Sequence, residues 1–101
     1  MKKGMSTPWG EAQGAKELNN TGCFIVFTAG HGGTFVPDEL LTRIPSEERE
    51  LAKGWSGSEN WYEEDCCALS VLWHIPEARD NRHTVEQLEK WHKESVLNQI
   101  N

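Results

Sequence analysis

The run "CFIVFTA" at residues 23–29 constrains the fold more than any other stretch. Its β-branched and aromatic side chains read as a strand. Phe24 and Val26 point to one face, Ile25 and Phe27 to the other. A strand that is apolar on both faces needs a cover on each. A chain of 101 residues supports one domain with one modest core. One helical layer therefore leaves a spare sheet face, which an oligomer or a partner would cover.

The neighbouring segments complete an α+β architecture. "TPWG" at 7–10 is punctuated by Pro and Gly and reads as a loop or arm. "EAQGAKELNNTGCFIVFTAG" reads as two strands around "NNTG", whose residues tolerate positive φ. "GHGG" at 30–33 interrupts the strand, and "TFV" at 34–36 resumes pairing. "PDELLTRIP" opens as a helical turn and stops before Pro45, and "SEEREL" follows with Ser46 as N-cap. "KGWSGSEN" at 53–60 reads as a loop. Asn60 and Glu63 are spaced as a capping box for a helix from Trp61 to about Ile75, ended by Pro76. "EARDNRH" is a polar connector. Thr84 and Gln87 form a second capping box, opening a helix toward Ile100 with Val85, Leu88, Trp91 or His92, and Val96 at helical spacing. The expected fold is a small antiparallel sheet of two or three strands from the N-terminal half, packed by two or three helices from the C-terminal half. Residues 1–101 form a single domain, with 1–8 as an arm, 9–78 as the core and 84–100 as the C-terminal helix.

Sixteen acids against ten bases give a formal charge of −6. Phosphate binding needs clustered Lys and Arg, so nucleic acid is not expected as a direct ligand, whereas a basic protein partner is permitted. No apolar run approaches the roughly 20 residues of a membrane span, and the N-terminal segment has no apolar core of a signal peptide. Cys23, Cys66 and Cys67 are odd in number and include an adjacent pair, which suits free thiols in a reducing cytoplasm. The five Trp residues supply buried area or anchor a partner.

Reactive side chains concentrate in "WYEEDCC" at 61–67. On a helix, Tyr62, Cys66, Leu69 and Trp73 share a core stripe. Glu63, Cys67, Ser70 and His74 form a more polar neighbouring stripe. Glu63 and Cys67 are one turn apart and can share a metal, but His74 lies roughly 10 Å too far along to join them. A further ligand or a catalytic base would come from His31. Cys67 with His31 is a candidate thiol–imidazole pair, His31 with Glu63 or Glu64 is the candidate for acid–base chemistry, and His31, Glu63, Glu64 and Cys66 make the alternative catalytic set. If His31 meets these carboxylates, "GHGG" and "WYEED" make one site, or one brace that fixes the loop. "GHGG" is neither a P-loop nor a dinucleotide fingerprint, and the spacing matches no closed zinc pattern, so neither cofactor nor metal is expected.

Three pieces in order, "TPWG" at 7–10, "TAGHGG" at 28–33 and "WYEEDC" at 61–66, followed by a helix ending in "IPEA" at 75–78, resemble a family of small uncharacterised domains. That family is encoded in phages, plasmids and other mobile elements of bacteria. The corresponding positions are Trp9, Gly10, His31, Gly32, Gly33, Glu63, Glu64, Asp65 and Cys66; Cys67 and His74 fall outside the pattern. The resemblance implies a bacterial cytoplasmic setting and an accessory role, of the anti-CRISPR or anti-restriction kind. The expected function is stoichiometric inhibition of a host defence nuclease system through a Cas or restriction component, by a monomer or homodimer. The binding surface would use Trp9, His31, Trp55, Trp61, Glu63, Glu64 and Asp65. The alternative is a small hydrolase or metal-binding domain built on His31 and the Glu63–Cys66 segment.

Overall fold

The computed structural model describes residues 4–79 and 82–100. The fold is α+β, with strands in the N-terminal half and helices toward the C-terminus. β3 (Gly14–Glu17), β4 (Phe24–Phe27), β5 (Gly32–Phe35) and β6 (Trp61–Glu63) form an antiparallel sheet in that order. β1 (Ser6–Thr7) pairs with β2 (Gly10–Glu11) in a separate two-stranded ladder. The turn between β3 and β4 places Asn19 and Asn20 at φ 51° and 59°, the left-handed region that "NNTG" suits.

The alternation in β4 decides the layering. Ile25 packs into a core with Tyr62, Val71 and Ile75, beneath the helices. Val26 and Phe24 pack on the opposite face with Trp61, Phe35, Ala12 and Trp9. The β1–β2 hairpin, which carries Trp9, supplies the second cover for this sheet, so the face expected to be left for an oligomer or partner is covered by the chain itself. Of the 1–8 arm, residues 1–3 lie outside the described residues, and Ser6–Thr7 are paired.

After β5 the chain makes a 3-10 helix (Asp38–Arg43) and α1 (Ser46–Ser56). Pro45 holds the N-cap position of α1 without a side-chain cap, so Ser46 is the first helical residue instead. The expected loop at 53–60 begins later than expected. α1 runs through Ser56 and ends at Gly57, whose φ of 86° lets its N–H reach Lys53 O at 2.7 Å.

The largest correction concerns residues 61–67. No helix starts at Trp61: Trp61–Glu63 is the fourth strand, paired with β5, and α2 runs only over Ala68–His74. Two large aromatics at 61 and 62 bury on opposite sheet faces, which a strand permits and a single helical stripe does not. The Asn60 side chain does not cap a helix. It donates to Val36 O and Asp38 Oδ1, both at 2.8 Å, and so ties the start of β6 to the end of β5. The last helix is as expected at its start. Thr84 and Gln87 make a reciprocal capping box on α3 (Val85–His92). A π turn (Lys93–Leu97) and α4 (Asn98–Ile100) continue it.

Tyr62 is fully buried, and its hydroxyl meets no hydrogen-bonding partner among the described residues. Burial pushes its pKa well above the ordinary phenol value. An unpaired buried hydroxyl costs on the order of 1 kcal/mol. Tyr62→Phe is therefore expected to raise the thermal midpoint by about 5 °C, measured by circular dichroism.

Candidate functional site

The site begins with backbone pairing. Thr28 and His31 close the β4–β5 turn: Thr28 N–H donates to His31 O at 2.9 Å, and His31 N–H donates to Thr28 Oγ1 at 3.1 Å. β5 then pairs with β6 so that Gly33 lies opposite Glu63, and Glu64 N–H donates to Gly32 O at 3.1 Å. One ladder thus joins "GHGG" to "WYEED". The ligand atoms of His31, Glu63 and Glu64 all lie within 4.8 Å of one another. Glu63 is buried, while His31 and Glu64 are exposed.

Gly32 and Gly33 both serve close approach: a Cβ at Gly32 would sit 2.7 Å from Val26 O. At Gly33 a Cβ would sit 2.3 Å from Trp9 Cη2 and 2.5 Å from Tyr62 O. Only glycine lets the Trp9 ring lie flush on β5. Thr7 Oγ1 accepts the Trp9 N–H at 3.2 Å, which fixes the hairpin tip. Trp9 meets Trp61 edge to face, with centroids 5.6 Å apart at 88°. Trp55, near the end of α1, comes to the same place. Ser56 Oγ lies within 2.9 Å of Ala52 O, Ser58 O and Trp61 O, and its single O–H donates among these three acceptors, which anchors that end.

Trp9, His31, Trp55 and Glu63 line a concavity of about 210 Å³. Two indoles, an imidazole and a carboxylate thus share one lining. Glu63 Oε2 accepts the Asp65 N–H at 3.2 Å, and a carboxylate has lone pairs left for further donors. Indole faces and carboxylates both attract cations, so the pocket suits an ammonium or guanidinium group. A second concavity of about 210 Å³ lies on the helical face, lined by Leu18, Ile25, Ala68, Leu69 and Leu72 with Glu64 at its edge.

The other sequence candidates go elsewhere. Trp61 is 9% exposed and packs against Trp9 and Phe35, whereas Trp55 is 58% exposed. Asp65 is exposed beside the pocket. Cys66 and Cys67 are buried, and burial raises both thiols above their ordinary pKa. Cys66 Sγ donates to Gln99 Oε1 at 3.3 Å, under the C-terminal helix. Neither thiol has the thiolate character of a nucleophile.

A convergence that sequence reasoning missed lies among the helices. Glu48, in the first turn of α1, is 3% exposed. Its Oε1 accepts from Ser70 Oγ at 2.8 Å and lies 2.6 Å from His92 Nε2; its Oε2 lies 2.9 Å from His74 Nε2. Burial pushes the Glu48 carboxyl up, but the hydrogen bonds from His92, Ser70 and His74 outweigh it and hold the pKa below the ordinary value. One signal was readable. Glu48 shares a helical stripe with Leu51 and Ala52, and His92 shares one with Leu88 and Val96, so each polar residue sits where apolar ones are expected.

A family model described as "Domain of unknown function (DUF7007)" matches residues 2–99. No curated protein and no solved structure matches the chain. Among the described residues, no helix is long and apolar enough to cross a membrane.

Proposed function

Because the chain belongs to the DUF7007 family, whose description assigns no activity, we propose a function from the site's geometry: a stoichiometric protein-binding module. Its Trp9–Trp55 pocket takes a Lys or Arg side chain of the partner. The observation that carries this is the meeting of two indoles, His31 and the buried Glu63 in one concavity, on a chain of net charge −6. Complementary charge favours a basic partner and speeds its encounter. The resemblance to mobile-element domains adds a partner class, the defence nucleases. Their nucleic-acid channels offer the clustered Lys and Arg that such a pocket and charge complement. On this reading the chain inhibits by occupying that surface, without catalysis.

The hydrolase alternative keeps His31, Glu63 and Glu64 as convergent groups, but its thiols are buried and protonated. The binding reading is tested with a Lys- and Arg-rich peptide and its acetylated, uncharged counterpart. Trp55→Ala is expected to weaken the basic peptide by about 5-fold, as the loss of one cation–π contact of roughly 1 kcal/mol. Glu63→Gln is expected to weaken it by about 10-fold. Trp55→Ala should leave the thermal midpoint unchanged, because Trp55 is 58% exposed. Equal binding of the acetylated peptide would sink the proposal. The same two variants should lose any protection of phage against a host nuclease.

A further inference from the structure

We propose that Glu48, His74 and His92 form a binding site for a divalent transition-metal ion of the zinc class. The inference is independent of the Trp9–Trp55 pocket. Two imidazoles and a carboxylate are a common donor set for zinc and for other first-row metals. Here they come from three helices, and their ligand atoms all lie within 4.8 Å of one another. Both histidines aim Nε2 at the same carboxylate, at 2.6 and 2.9 Å. Glu48 and His92 are 3% and 4% exposed, so water competes little for these donors.

The surroundings hold the ligands in place. Ser70 Oγ donates to Glu48 Oε1, which fixes the carboxylate plane. Trp73 stacks on the His92 ring, with centroids 5.7 Å apart at 21°. The Arg79 guanidinium lies 5.6 Å from the centroid of the Trp73 ring, and Arg79 donates to Leu72 O and Trp73 O. The two imidazoles meet edge to face at 5.2 Å. Directly after His92 the helix makes a π turn, Lys93–Leu97. Such turns are rare and occur frequently at functional sites. Three protein ligands leave one tetrahedral position open. His74 has a side-chain exposure of 20%, against 5% for His92, so an exchangeable ligand would reach the ion from the His74 side.

The competing account is a metal-free brace, in which both imidazoles donate to Glu48. The test uses the full chain, stripped with a chelator and titrated with Zn²⁺ by calorimetry and with Co²⁺ by visible absorption. The expected result is one equivalent bound, with tetrahedral Co²⁺ bands. His74→Ala should weaken binding on the order of 100-fold. His31→Ala should leave it unchanged, which separates this site from the His31–Glu63–Glu64 group. His74→Cys should restore Co²⁺ binding and add a thiolate-to-metal charge-transfer band, which a role in folding alone does not produce. Failure of the wild-type chain to bind, loss of binding in His31→Ala, or His74→Cys without the band would each overturn the proposal.

Discussion

Glu48→Ala is expected to lower the thermal midpoint by on the order of 15 °C in chelator-treated protein, as the loss of roughly 3 kcal/mol predicts for a domain of this size. The substitution leaves Ser70 Oγ and the Nε2 atoms of His74 and His92 facing an emptied, buried space. Each orphaned donor costs about 1–3 kcal/mol, and the cavity adds to that. Three elements lose their common partner at once, because Glu48 is on α1, Ser70 and His74 on α2 and His92 on α3. Stabilities of such domains are about 5–15 kcal/mol, so the variant would be near the edge of folding at 37 °C. Glu86→Ala, at an exposed position of α3, is the control and should shift the midpoint little. The check is a pair of melts followed by circular dichroism, with chelator present so that metal contributes nothing. A Glu48→Ala midpoint within about 3 °C of the parent would show that the network holds little of the fold.

Gly33→Ala should cost about 2–3 kcal/mol, the range for forcing an atom into a packed site. The added Cβ would stand 2.3 Å from Trp9 Cη2, 2.8 Å from Trp9 Cζ3 and 2.5 Å from Tyr62 O. The indole can swing away, but the Tyr62 carbonyl belongs to the β6 ladder and cannot move without breaking it. Trp9 is therefore expected to leave the sheet, taking the β1–β2 cover and one wall of the pocket with it. Its fluorescence should move to the red, and basic-peptide binding should fall together with stability. Gly54→Ala provides the opposite sign. A Cβ there meets nothing within 4 Å, and Gly54 lies inside α1, where alanine is preferred by about 0.5–1 kcal/mol. If both substitutions stabilised, the close approach of Trp9 to β5 would be wrong.

Local signals carried the strands and the helix starts whose reasons are local. The parity of "CFIVFTA" foretold that both faces need a cover, but not that the chain's own β1–β2 hairpin would supply the second one; "NNTG" foretold left-handed residues, and Thr84 with Gln87 foretold the start of α3. The segment at 61–67 misled because Asn60 and Glu63 match a capping box, while the pairing that makes Trp61–Glu63 a strand depends on β5, far away in sequence. Tertiary pairing overrides such local preference. The meeting of His31 with Glu63 and Glu64 was anticipated as a juxtaposition, and it follows from the β5–β6 register. Trp55 was named from its residue type, and its nearness to Trp9 depends on how α1 ends. Glu48, His74 and His92 are joined by nothing in the local sequence. His74 was set aside by its distance from Cys67 along one helix, although its partner lies on another.

The most direct test of the binding account follows the side-chain indole signals of the five Trp residues by NMR as a Lys- and Arg-rich peptide is added. The account predicts saturable shifts at Trp9 and Trp55, none at Trp73 and Trp91, none with the acetylated peptide, and in Glu63→Gln the same shifts at about 10-fold higher peptide. Shifts confined to other residues, or equal shifts with the uncharged peptide, would contradict it.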